Sequence, residues 1–143
     1  MDNGALGVPG AHGDMERMTQ FIYNNMDKIT NIAVSIDTHT PHQIFHPCWW
    51  IDENGNNPAP YTPITLADLD SGKYRAVIYP RQSRDYVEHL EKDGKKTLCV
   101  WSYHCLQGTS GAAFENQFAN MIYFHSAAKK AVTRSEERRV GKE

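Results

Sequence analysis

No apolar run in the 143 residues approaches the roughly 20 that cross a bilayer, so no membrane span is expected. The start, Met1-Asp2-Asn3-Gly4, has no basic segment and no apolar one. No secretory signal is expected there, and the cytoplasm is the expected compartment. Cysteine is scarce: Cys48, Cys99 and Cys105 are an odd number without framework spacing. That excludes a disulfide-built secreted domain and suits a reducing environment. Neither sign of charge dominates, with 15 Lys and Arg against 17 Asp and Glu and a net charge of -2. Neither nucleic acid nor an anionic membrane is therefore expected as a partner. No internal repeat is visible. What remains is an ordinary globular composition, long enough for one domain with its own core.

Asp14 is the expected N-cap of a first helix, with Met15, Met18, Phe21, Ile22 and Met26 on one stripe and an end near Asp27. Residues 32–36 read as a buried strand, because nearly every position is apolar or small. Helix followed by strand fits an α/β parallel sheet. From 37 to 72 periodicity is weak, and a loop of that length in a compact domain is usually functional. Within it, Thr65 or Asp68 is expected to start a short helical turn. Residues 73–79 read as a short strand or extended segment. Ser83 is the expected N-cap of a helix that turns Tyr86, Val87 and Leu90 inward and stops at Gly94. Residues 96–101 form the second expected buried strand, and 104–111 a glycine-containing loop. A last helix over 112–129 places Phe114, Phe118, Met121, Ile122 and His125 inside. Residues 134–143 are dense in charge with little to anchor them, and read as a disordered or extraneous tail after a domain over 1–133.

Polar ligand-type residues at the ends of apolar strands are where α/β folds place their chemistry. Asp37 and His39 are two apart, so a continuing strand turns both to one face. His104, after the second strand, is the best-placed third ligand. One carboxylate and two imidazoles suit a divalent metal, zinc first, with iron or manganese as alternatives, and leave coordination positions open. The plain alternative is that Asp37 caps a turn and the histidines are loop residues. Cys105 adjoins His104, but neighbours on one backbone rarely present side chains to each other, so it reads as a packing residue. Cys99 reads as inert core and Cys48 is unassigned. His42 and His46 read as loop histidines beside Trp49 and Trp50. His125 reads as a hydrogen-bonded core histidine, and Arg75, Arg81 and Arg84 as solvated.

Three elements resemble the isochorismatase-like cysteine hydrolases, and most closely their nicotinamidase branch. Asn3-Gly4-Ala5-Leu6-Gly7-Val8-Pro9-Gly10 is similar to the family's Gly-Gly-Ala-Leu-x-Val-Pro-Gly loop. Asp37-Thr38-His39 with Pro41-His42 is similar to its Asp-x-His-x-x-x-His element. The run from Trp101 through Ser102-Tyr103-His104-Cys105 to Gly111-Ala112 is similar to its Trp-Pro-x-His-Cys-x-x-Gly-Thr-x-Gly-Ala, with Ser102 where the family usually has Pro. The resemblance covers most of 3–129, with a long Trp-containing insertion after the first metal element.

The resemblance implies a parallel-sheet, three-layer, Rossmann-like α/β fold, incomplete in this chain. It implies that Asp37, His39 and His104 hold the metal and that Trp101 walls the substrate pocket, stacking a flat ring. It implies a small amide as substrate, nicotinamide first, hydrolysed to nicotinate and ammonia by an intact, homo-oligomeric enzyme. The metal triplet favours an amidase over an isochorismatase. In that family a Cys thiolate attacks the amide carbonyl, assisted by an Asp and a Lys. No residue here matches those three: Asp2 lacks the preceding strand, and Lys129 and Lys130 lack strand context. The chain is therefore expected to be an inactive fragment lacking both ends. Two rivals remain open: a non-haem Fe(II) enzyme using the same Asp and two His, and a non-catalytic, metal-binding interaction module.

Overall fold

A computed structural model describes residues 4–130 and the backbone of 134–139. In chain order the elements are α1 (Ala11–Asn24), β1 (Ala33–Thr38), β2 (Trp50–Asp52), β3 (Pro63–Ile64), α2 (Leu66–Asp70), β4 (Tyr74–Ala76), α3 (Pro80–Lys92), β5 (Leu98–Cys99), α4 (Asn116–Lys129) and β6 (Arg134–Arg139). The class is mixed α/β. Among the described residues the strands form three two-stranded sheets: β1 with β6 is parallel, β2 with β4 and β3 with β5 are antiparallel. The multi-strand parallel layer expected from the sequence is thus represented by one parallel pair. No helix of the described residues is long and apolar enough to cross a membrane. The chain divides into two compact units, one built from 4–39 and 104 onward, the other from Thr40–Tyr103.

In the first unit, α1 begins at Gly10, not Asp14. Gly10 has φ +81°, a left-handed conformation that costs glycine little, and its carbonyl accepts from the Asp14 N–H. Only Ile22 of the anticipated stripe is fully buried, with Met15 and Met26 packed partly against it, while Met18 and Phe21 are exposed. The stripe is too wide for the surface that α4 offers. Phe118, Met121 and Ile122 of α4 complete this core as anticipated. His125 is buried, and its Nε2 lies 2.9 Å from the Ile29 carbonyl, so the ring donates there and fixes α4 against the turn after α1. Phe114 packs on the same core but precedes the helix, which starts later than its periodicity suggests. The Glu115 carboxylate caps it by accepting from the Phe118 N–H at 2.9 Å.

β1 corrects the reading of a strand buried on both faces. Ala33, Ser35 and Asp37 are exposed, Val34 and Ile36 half-buried, and Thr38 buried. An apolar run reports strand propensity but not how many faces are covered. Residues 134–139, set aside in the sequence as part of a charged tail, pair by their backbone with β1 from Ala33↔Arg134 to Thr38↔Arg139. A ladder uses main-chain groups, so side-chain composition conceals it. Residues 140–143 lie outside the described residues.

The second unit holds the tightest core. Trp50, Ile64, Ala76, Val87, Leu98 and Val100 form one buried cluster. Trp50 and Ile64 come from the segment that looked like an irregular loop, so much of that insertion is structural. β4 falls where a short strand was anticipated, and β5 is shorter than its apolar run. Ser83 does not cap α3: Pro80 sits in the first turn and Tyr79, at φ +48°, precedes it. Ser83 is buried inside the helix, where its Oγ accepts from the Trp49 indole N–H at 3.0 Å.

α2 starts at Thr65, as anticipated. The Thr65 Oγ1 accepts from the Asp68 N–H at 3.0 Å, and an Asp68 carboxylate oxygen accepts from the Thr65 N–H at 3.0 Å. The other carboxylate oxygen accepts from Lys73 at 2.9 Å. Thr65→Ala is expected to cost about 0.5–2 kcal/mol in urea unfolding. The Lys73 hydrogen bond, with those from Thr65, holds the Asp68 carboxyl below its ordinary value despite partial burial. A depressed folded value means the stabilisation is present above the ordinary carboxylate range and is lost as pH falls through the folded value. The native chain should therefore lose more stability than Asp68→Asn when acidified below about pH 4. Parallel losses in the two proteins would contradict this.

Candidate metal centre

The site begins where β1 ends. His39 continues the strand as a parallel bridge to Leu106. Its N–H donates to the Cys105 carbonyl at 2.8 Å, and its carbonyl accepts from the Gln107 N–H at 2.9 Å. Those two bonds clamp the 104–107 segment beside the strand end and bring His104 next to His39. The turn beyond is closed by Thr109, whose N–H and Oγ1 both donate to the Leu106 carbonyl, at 3.1 and 2.7 Å. Gly108 at φ +79° is the left-handed residue this turn requires.

Three ligand-type side chains meet there. The His39 Nε2 lies 3.1 Å from an Asp37 carboxylate oxygen. The His39 and His104 rings are edge to face, with centroids 4.7 Å apart. One ligand atom from each of Asp37, His39 and His104 lies within 4.8 Å of the others. Donors about 2.0–2.2 Å from one ion stand roughly 3–3.6 Å from each other in tetrahedral or octahedral geometry. The Asp37–His39 separation already has that value, and small side-chain rotations close the remainder. The donor set, one hard oxygen and two borderline nitrogens, fits a divalent ion such as zinc, iron or manganese. His39 is 4 % exposed, His104 half-buried and Asp37 exposed, so the set is anchored on its inner side and open on its outer one. The outer side of the set is thus accessible to solvent.

The spacing of Asp37 and His39 was the legible part, and His104 is brought to them as the sequence suggested. Cys105 sits beside the set at φ +46°. Burial pushes its thiol up, and the nearby Asp37 carboxylate pushes it further, which keeps the sulfur protonated and suits a packing role. Lys129 donates from Nζ to the Asp27 carbonyl at 3.2 Å, tying the end of α4 to the turn after α1. Trp101 belongs to the second unit. It is 38 % exposed, and its ring meets Tyr61 edge-on at 5.9 Å. Tyr61 gave no signal in the sequence; it stands at φ +69°, a strained conformation for a non-glycine residue. Arg84, read from the sequence as solvated, is paired at 2.8 Å with both Asp70 and Glu88.

No family model, no curated protein and no solved structure matches this chain.

Proposed function

We propose that this chain carries the metal-binding part of an isochorismatase-like, nicotinamidase-like amide hydrolase. The observation that supports the reading most is the convergence of Asp37, His39 and His104, the three positions the motif resemblance assigns to metal. The parallel pairing of β1 with β6 is in keeping with the parallel-sheet, three-layer fold the resemblance implies. The proposed substrate is a small amide, with nicotinamide giving nicotinate and ammonia.

Each residue then has a defined task. Asp37, His39 and His104 would hold the ion, which when bound supplies a Lewis-acidic anchor that orients the substrate. His39, locked by its two backbone bonds, fixes where that anchor sits. Trp101 offers a half-open indole face of the size and polarisability that stacks on a pyridine ring. None of the 143 residues is assigned as the nucleophile or the general acid and base of this amide hydrolysis, so this chain alone is expected to release no ammonia.

The test is an ammonia assay with nicotinamide on two proteins: this chain, and the product of the reading frame completed at its genomic locus. Zinc-dependent release by the second and none by the first is the expected outcome. Release by neither, or release from the second that persists after stripping the metal, would count against the reading. Turnover that instead requires Fe(II) and O₂ would favour the facial-triad alternative.

A further inference from the structure

In the second unit a cysteine and a histidine are paired. Cys48 opens toward His42, with its Sγ 3.4 Å from the His42 Nδ1. The same thiol donates to the Pro41 carbonyl at 3.1 Å. His46 is fully buried, and its Nδ1 lies 3.0 Å from the Pro41 carbonyl. The same nitrogen lies 3.1 Å from the Thr40 carbonyl, so the buried ring anchors the turn that carries His42. The His46 ring also packs against Tyr103 at 4.8 Å and holds the phenol in place. His42 is exposed and Cys48 half-buried, so a small molecule can reach the sulfur.

We propose that Cys48 is the reactive thiol of this chain, with His42 as its base and small soft electrophiles, low-molecular-weight disulfides above all, as its ligands. The neutral His42 tautomer protonated on Nε2 leaves Nδ1 to accept the Cys48 proton. Rotation about the Cβ–Sγ bond turns the thiol proton from the Pro41 carbonyl to His42, and the resulting thiolate faces an imidazolium, the environment in which cysteines become nucleophilic. The thiolate attacks one sulfur of the disulfide, a Cys48–sulfur bond forms and the original S–S bond breaks. The departing half leaves with the electron pair and takes the proton from His42 as a free thiol. Cys48 is oxidised to a mixed disulfide and the departing half is reduced, so the exchange is balanced.

The three cysteines provide an internal control, because Cys48, Cys99 and Cys105 are all half-buried. Cys99 is the level reference, because burial and the Asp37 carboxylate push the Cys105 thiol up and slow it independently. The intact chain is treated with iodoacetamide, and separately with oxidised glutathione, and each site is followed by peptide mass spectrometry. Cys48 is expected to react at least about tenfold faster than Cys99 and Cys105 with both reagents. His42→Gln should lower the Cys48 rate about tenfold and leave the other two unchanged. In urea, the three sites should become equal in both proteins. Equal native rates at the three cysteines, or a Cys48 rate indifferent to His42→Gln, would overturn the proposal.

Discussion

His104→Ala should lower the affinity of the chain for zinc at least about a hundredfold. Loss of an outer-shell partner alone typically costs about 10–100-fold in metal affinity, and His104 is one of three candidate ligands among the described residues. It is also the cleanest of the three to remove. The His39 ring is almost fully buried, so truncating it would leave a cavity and disturb the packing together with the site. Asp37→Asn keeps an oxygen donor but removes the charge, and should weaken binding by less, about tenfold. Calorimetric titration of the native chain and the two variants measures both effects, with thermal melts confirming that His104→Ala stays folded. Because imidazole nitrogens must be unprotonated to bind, affinity in the native chain should also fall on acidification. Unchanged zinc affinity in His104→Ala would remove that residue from the site.

Trp50→Ala should cost the second unit about 3–5 kcal/mol. The indole is fully buried at the centre of the cluster formed with Ile64, Ala76, Val87, Leu98 and Val100. Its N–H donates to the Ile44 carbonyl, and its backbone carbonyl accepts from the Asn57 side chain at 2.8 Å. Truncation leaves a cavity and leaves the Ile44 oxygen without its donor. Against a total stability of about 5–15 kcal/mol for a typical domain, that is enough to unfold a small unit near room temperature. Trp50→Phe refills most of the volume but still strands the carbonyl, at about 1–3 kcal/mol. Urea midpoints followed by far-UV circular dichroism would rank native, Trp50→Phe and Trp50→Ala in that order. A Trp50→Ala midpoint close to the native one would show that the cluster is not what holds this unit.

The residues legible from sequence were those whose role depends on local spacing. Asp37 and His39 share a face because strands alternate, and that holds whatever surrounds them. Phe118, Met121, Ile122 and His125 follow the helical period, and all four are buried. Thr65 signals its helix through a capping box only four residues long, Thr65 to Asp68. Illegible features were those set by distant partners. Met18 and Phe21 fit the helical stripe of α1 but meet no surface. Ser83 has the chemistry of a cap, yet its partner is the Trp49 indole, 34 residues away in the chain. Trp50 and Ile64 lie in a stretch without periodicity, because short strands bounded by prolines and turns carry too few residues to show one. The pairing of Cys48 with His42 was hidden for the same reason: they stand six positions apart on irregular backbone, and spacing alone does not bring them together.

X-ray absorption at the zinc edge, on the chain loaded with one equivalent of zinc, addresses the metal centre most directly. The expected shell contains only nitrogen and oxygen at about 2.0–2.2 Å, with the outer scattering of two imidazoles, and it loses one imidazole in His104→Ala. A sulfur neighbour at about 2.3 Å would place a cysteine on the ion, and a shell unaltered by His104→Ala would place the ion elsewhere; either result would contradict the site built from Asp37, His39 and His104.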